Sequence, residues 1–312
     1  MPHTSAADWA RWLLGLAVLW AVPVLGTAAT DDGAPTGPAA ATAPVVPLSG
    51  PSVVAHRGAS GYAPENTLPA ADEAAERGAV WVETDVQRTA DGELVLLHDT
   101  TLERTTDVEE VFPDRAPWNV SDFTAEEIAR LDAGSWFGEE FAGERVPTLA
   151  EFLDRLDANG QRLLLEMKGP ELYPGIEEEI LAVLEAEGWL REARPGDRLV
   201  VQSFDAGSVR TVHELAPEVA TGFIGTPDVA DIAEYAAFAD QINPRVGDLT
   251  ADYVAALQSA VGPHGEPVVV QTWTVNDGPT AQQAAALGVD GVITNYPDIV
   301  LAALEGADSS AR

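Results

Sequence analysis

From Ser52 onward the apolar positions fall into short β-branched runs separated by longer segments rich in Ala, Glu and Leu, the pattern of a parallel sheet with helical crossovers. The short runs predict eight strands, at 52–56, 80–86, 163–168, 198–204, 219–224, 240–243, 267–274 and 289–294. Helical patterns lie near 67–77, 148–159, 173–188, 206–215, 229–237, 250–262, 279–287 and 297–305. Eight strand–helix pairs fit a (β/α)8 TIM barrel over 51–306, with a short tail at 307–312. An open doubly wound sheet requires no particular number, and no Gly-x-Gly-x-x-Gly turn follows the first run.

One interruption breaks the rhythm after the second strand, where residues 87–147 are too long for a plain connection. Ala90-Asp91-Gly92 is a hairpin signal between Val86 and Leu94, and the return strand Leu94-Val95-Leu96-Leu97 would deliver His98 to the barrel mouth. The inserted subdomain, about 99–147, carries Trp118, Phe123, Trp136, Phe137 and Phe141, aromatics expected as its own core.

The N-terminal region has a different texture. Trp12 to Leu25 is an apolar run of signal-peptide length, followed by Gly26, Thr27, Ala28 and Ala29, so residues 1–29 are expected to be a cleaved leader and the protein secreted or extracytoplasmic. The run is shorter than a bilayer span and contains Pro23, which argues against stable membrane insertion. Residues 30–50, rich in Ala, Pro, Thr and Gly, read as a disordered linker. With no cysteine in the chain, a lipidated cysteine anchor is excluded.

A formal charge of −34 argues against nucleic acid and anionic membranes as partners. It also repels a small anionic substrate, so any phosphate site must be made attractive locally, by Arg57, by Lys168 and by a bound cation. Lys168 is the one lysine in the chain, two residues after Glu166.

The chemistry-bearing residues cluster. On a strand, positions i and i+2 share a face, so Glu83 and Asp85 project together at the end of the second strand, and Glu166 sits likewise on the third. Three carboxylates at the C-terminal end of a barrel make an all-oxygen site for one divalent cation, Ca²⁺ or Mg²⁺ rather than Zn²⁺. His56 ends the first strand and His98 the hairpin, and two imidazoles flanking a phosphodiester supply a base and an acid. Arg57 can hold phosphate oxygens with two parallel hydrogen bonds and Lys168 can add a point charge, the alternative for Lys168 being a pairing with Glu166; Trp273 fits either a pocket wall or a buried core tryptophan. His213 and His264 read as bystanders.

Taken in order, His56-Arg57-Gly58, Pro64-Glu65-Asn66-Thr67, Glu83-Thr84-Asp85-Val86, Leu97-His98-Asp99, Leu102-Glu103-Arg104-Thr105-Thr106, Leu131 to Phe137, Leu165-Glu166-Met167-Lys168, Trp273-Thr274-Val275-Asn276 and Asp290 to Asn295 resemble the glycerophosphodiester phosphodiesterase family over roughly 52–302. The resemblance implies a (β/α)8 barrel that hydrolyses small glycerophosphodiesters, such as glycerophosphocholine or glycerophosphoethanolamine, to glycerol 3-phosphate and an alcohol. It also implies His56 and His98 as the acid/base pair, Glu83, Asp85 and Glu166 as metal ligands, Arg57 and Lys168 as phosphate contacts, and Glu65 and Asn66 beside the metal. Two positions depart from the family pattern: Leu164, where a polar residue is frequent, and Tyr296, where arginine is. Competing readings are a lipid-directed phosphodiesterase of the sphingomyelinase D or phosphatidylinositol phospholipase type, and an exported binding protein that keeps the fold without turnover.

Overall fold

Two-residue alternation along the strands decides which side chains enter the barrel. The computed structural model describes residues 50–191 and 194–310. Its strands are β1 Ser52–Ala55, β2 Trp81–Arg88, β3 Leu94–Leu96, β4 Arg162–Met167, β5 Leu199–Ser203, β6 Ala220–Phe223, β7 Gln241–Ile242, β8 Gln271–Thr272 and β9 Gly291–Thr294. All but β3 run parallel, in the order β7-β6-β5-β4-β2-β1-β9-β8. The two ends of that order meet through parallel bridges Gln241–Val269 and Arg245–Trp273, which closes the sheet into the expected (β/α)8 barrel.

The helices are α1 Leu68–Glu76, α2 Val108–Val111, α3 Ala125–Ile128, α4 Leu149–Asn159, α5 Ile176–Ala186, α6 Ala206–Leu215, α7 Ile232–Ala236, α8 Ala251–Gln258, α9 Gly278–Ala286 and α10 Pro297–Ser310. Their ends follow from local chemistry. At α4 the Thr148 hydroxyl accepts from the Glu151 N–H while the Glu151 carboxylate accepts from the Thr148 N–H, and Gly160 ends the helix in the left-handed region at φ 67°. Thr67 caps α1 through its hydroxyl alone, which accepts from the Ala70 N–H, with Pro69 in the first turn.

Outward-facing strand residues pack on the helices. Leu163, Leu165 and Val201 meet Phe152, Leu153, Ile180 and Trp189 on one side of the barrel, and Val270 and Val292 meet Val254, Ala281 and Val300 on the other. Burial of each such aliphatic side chain contributes about 1.5–3 kcal/mol. The inward residues Val54, Leu164, Val200, Ala220 and Ile293 form a separate apolar plug inside the barrel. Leu164 is therefore the floor beneath the site, one inward step below Glu166. Its apolar character at that position is packing chemistry.

The insertion follows the hairpin. β3 is antiparallel to β2 with Val86 opposite Leu96, and Gly92 turns the chain at φ 95°. Beyond it Val95, Leu97, Leu102, Val120, Phe123, Ile128 and Leu131 form a satellite core against which Trp118 packs. Trp136, Phe137 and Phe141 stack edge to face instead at the surface, with Trp136 40% exposed. For these three the expectation of a buried core fails, because Asp132 accepts N–H bonds from Gly134, Ser135 and Gly143 and folds the segment into a polar-centred loop.

Three boundaries differ from the sequence reading. The seventh strand, expected over 267–274, is regular only at Gln271–Thr272, its ladder to β7 being carried by single bridges beside Pro244 and Pro267, which lack an N–H. The helix expected over 250–262 stops at Gln258, where Val261 turns to bridge Pro267, and that over 229–237 shrinks to α7. The expected leader and most of the linker, residues 1–49, lie outside the described residues. Among the described residues no helix is long and apolar enough to cross a membrane.

Candidate active site

Strand register brings the carboxylates together. Asp85 on β2 is directly level with Glu166 on β4, and Glu83 lies one inward step below Asp85. One oxygen from each of the three falls within 4.8 Å of the others, and all three side chains are buried. Each acid has a committed oxygen and an uncommitted one. Glu83 Oε2 accepts the Arg57 backbone N–H at 2.8 Å, Asp85 Oδ2 accepts Asn66 Nδ2 at 2.9 Å, and Glu166 Oε1 accepts Lys168 Nζ at 2.9 Å. Asp85 Oδ1 is buried with no hydrogen-bond donor, its nearest cation being Lys168 Nζ at 3.5 Å. A buried acceptor left without a partner costs about 1–3 kcal/mol, more when charged, so Asp85 Oδ1, within reach of Glu83 and Glu166, is an oxygen that could serve a bound cation.

The electrostatics agree with that fit. Burial, then repulsion from Asp85 and Glu166, pushes Glu83 well above the usual carboxylate range. Burial and Asp85 push Glu166 up to about 7. Burial acts on Asp85 in the same sense, but Arg57 and Lys168 outweigh it and hold Asp85 below its ordinary value. Three crowded acids with two of them reluctant to ionise form a donor set suited to a hard divalent cation.

Asn66 and Arg57 support this centre from the β1 and α1 side. Both adopt left-handed backbone conformations at φ 57°, and Asn66 Oδ1 accepts from the Thr84 hydroxyl and the Asp85 N–H while its Nδ2 serves Asp85. The Arg57 guanidinium reaches Glu65 at 2.9 Å and Asp85 at 3.3 Å.

The two imidazoles are anchored alike and differ in their surroundings. His56 Nδ1 meets the Asn295 amide oxygen at 2.7 Å, which places the proton on Nδ1 and leaves Nε2 with its lone pair. Burial and then the Arg57 charge lower His56 to about 4. His98 Nδ1 donates to Asp99 Oδ1 at 2.7 Å. Arg104 clasps Asp99, at 2.6 Å to Oδ2, and its hydrogen bonds are the main reason that the Asp99 carboxyl falls to about 2. Neither His Nε2 has a hydrogen-bond partner among the described residues.

His56, Arg57, Glu83, His98, Glu166, Lys168 and Trp273, all read from sequence, line one cavity at the barrel mouth; Asp85, Glu65 and Asn66 stand directly behind it. Gln202, level with Glu166, and Phe204 share the lining. Trp273 donates its indole N–H to the Asn243 carbonyl and meets Phe204 edge to face at 5.5 Å, so the wall is an aromatic pair. Sequence reasoning missed the roles of Asn295, Asp99 and Arg104, although each stands in a recognised motif. Gln202 and Phe204 had only strand alternation as a signal. His264 lies outside the cavity, pinned between Asp240 and the Pro217 carbonyl.

A (β/α)8 barrel whose mouth combines a buried acidic triad, two anchored imidazoles and a paired Arg and Lys defines a hydrolase of phosphodiesters. The sequence profile of the Glycerophosphoryl diester phosphodiesterase family matches residues 56–299, and the chain belongs to that family. It is 36% identical over 259 residues to a glycerophosphodiester phosphodiesterase of Bacillus subtilis, covering 79% of this chain and 84% of that one. With the enzyme of the same name from Caldanaerobacter subterraneus it shares 35% over 252 residues, covering 80% and 96%. Among solved structures it resembles an Oleispira antarctica phosphodiesterase in complex with the product sn-glycerol-3-phosphate, at 32% identity and a TM-score of 0.68, covering 81% of this chain and 96% of that chain. The chain is thus a glycerophosphodiester phosphodiesterase in its reaction class.

Proposed function

We propose that the enzyme hydrolyses small glycerophosphodiesters, with glycerophosphocholine and glycerophosphoethanolamine as the expected substrates, to glycerol 3-phosphate and the head-group alcohol. Glu83, Asp85 and Glu166 would hold one divalent cation, Ca²⁺ or Mg²⁺, through their uncommitted oxygens. When bound, such an ion supplies positive charge against phosphoryl oxygen and the attacking hydroxyl. Arg57 and Lys168, on either side of the triad, add the fixed charges that bring an anion into a protein of net charge −34.

Division of labour between the histidines follows from their anchors. His56, held neutral with its lone pair on Nε2, removes a proton from the attacking oxygen. His98, acting as the imidazolium with its Nδ1–H held by the Asp99 carboxylate, delivers its Nε2 proton to the leaving alcohol oxygen as the P–O bond breaks and is left neutral. The observation that carries this reading is that both imidazoles line the cavity of the acidic triad, each with Nδ1 fixed by an acceptor. The attacking oxygen is that of the glycerol 2-hydroxyl, through a cyclic phosphate, or that of water; trapping a cyclic glycerophosphate distinguishes the two.

Release of glycerol 3-phosphate from glycerophosphocholine, measured with and without chelator, tests the proposal. Activity should vanish on chelation and return with Mg²⁺ or Ca²⁺, and His56→Asn or His98→Asn should each cost about 10² to 10⁴ in rate. Undiminished turnover in either variant, or in chelator, overturns the assignment. We further propose export directed by residues 1–29, which supports a role on extracellular diesters; N-terminal sequencing of protein recovered from the medium tests it, and a mature chain that retains Met1 overturns it.

A further inference from the structure

We propose that Arg104, in the inserted subdomain, is the positioning residue that sets the proton donor His98 at a fixed spacing from the phosphate clamp Arg57. The inference rests on the acid role given to His98 above and deepens it.

Arg104 makes four hydrogen bonds to two carboxylates. Its Nη1 and Nη2 bond Glu65 Oε2 and Oε1, each at 2.8 Å, and its Nε and Nη2 bond Asp99 Oδ2 and Oδ1 at 2.6 and 3.2 Å. Both carboxylates are relays. Glu65 Oε1 also receives Arg57 Nη1 at 2.9 Å, and Asp99 Oδ1 also receives His98 Nδ1 at 2.7 Å. An unbroken chain Arg57–Glu65–Arg104–Asp99–His98 therefore spans the mouth, with a planar fork at its centre.

A partly exposed ion pair is by itself worth little. Here the guanidinium makes two hydrogen bonds to each carboxylate, the Asp99 carboxyl is held at about 2, and the backbone that carries Arg104 is anchored. Leu102, two residues before it, is wholly buried in the satellite core, and Thr106, two residues after it, donates its hydroxyl to the Leu102 carbonyl at 2.6 Å. The loop thus fixes where the guanidinium stands. Removing it leaves Asp99 free to rotate away from His98 and Glu65 free to collapse onto Arg57, while every group that touches substrate remains.

The test uses leaving groups. An alkyl alcohol needs a proton as it departs, whereas p-nitrophenolate departs without one, so a misplaced acid harms glycerophosphocholine far more than a glycerol p-nitrophenyl phosphate diester. In the full-length enzyme, Arg104→Ala should reduce kcat on glycerophosphocholine about 10²-fold and on the nitrophenyl diester at least about tenfold less, with His98→Asn showing the same selectivity. Arg104→Lys, which keeps the charge and loses the fork, should stay at least about tenfold down on glycerophosphocholine. Equal losses on both diesters in Arg104→Ala, or full recovery in Arg104→Lys, overturn the inference. If wild type turns over neither diester, or His98→Asn shows no leaving-group selectivity, the underlying acid assignment fails instead.

Discussion

Arg57 engages both carboxylates of β2: its backbone N–H donates to Glu83 Oε2 at 2.8 Å, and its Nε forms an ion pair with Asp85 Oδ2 at 3.3 Å. The left-handed backbone at φ 57° turns the amide toward Glu83 while the side chain crosses to Asp85. One residue therefore contacts both acids, from its main chain and from its side chain, and in the function proposed above its guanidinium would also offer charge to a phosphate. Arg57→Lys separates these tasks, because the amide bond survives. Expected is a loss of about 10² in kcat/KM, the scale of a misplaced clamp, with cation affinity from calorimetry nearly unchanged. Cation affinity falling in parallel would show that the guanidinium, not the amide, orders the acids.

Crowding of acids makes the metal-free protein sensitive to pH. Glu166 is raised to about 7 from an ordinary 4.5, so the folded state binds its proton more tightly than the unfolded chain does. That contribution is fully present below about 4.5 and is lost as pH rises through about 7. Chelated enzyme should thus show a falling Tm across this window, and Ca²⁺ or Mg²⁺ at a hundred times its Kd should restore about 2.7 kcal/mol. Glu166→Gln should flatten both responses. A Tm indifferent to cation at pH 8 would contradict the triad as an ion site.

His56, lowered to about 4 by burial and by Arg57, should keep its neutral imidazole signals throughout the range from pH 8 down to pH 5. An NMR titration, with the His56→Asn variant to assign the resonance, reads this directly. Titration near 6.5 would remove the reason for assigning it as the base.

Asn66 is 2% exposed and uses three hydrogen bonds to hold Thr84 and Asp85. Asn66→Ala should cost about 1–3 kcal/mol by leaving buried partners unsatisfied, and a little more because alanine resists φ 57°. Urea denaturation of the chelated protein measures it. Asn66→Gly, free of the backbone penalty, should fall between the two.

Phe204 is 51% exposed at the cavity edge and contacts Trp273. Exposed aromatic surface at a mouth is surface that a substrate covers, so Phe204→Ala should raise KM severalfold with kcat little changed and with Tm within about a degree of wild type. A kcat effect without a KM effect would place Phe204 outside the substrate path.

How far the sequence revealed this site depends on whether a residue acts through its own type or through a neighbour. His56, Glu83, Asp85, His98, Glu166 and Lys168 were legible because strand alternation and barrel topology send strand ends to one rim. The barrel itself was legible from eight runs, even where β8 proved to be two residues long. Arg104 and Asn295 were not, since Glu65 and His56 lie 39 and 239 positions from them and only the folded loops bring each pair together. Trp136 was misread because aromatic content alone does not say whether a loop closes around polar bonds or apolar ones. Leu164 departs from the family pattern in the sequence, and the structure makes it a packing residue of the barrel interior.

The pairing of β2 with β4 runs over six consecutive positions, from Trp81 opposite Arg162 to Val86 opposite Met167. A slip of a single residue would turn Asp85 or Glu166 out of the barrel and into the helical layer. A cation shared between these strands, as proposed above, would act as a rivet through two planks, and its departure rate would gauge how tightly the staves of this barrel are held.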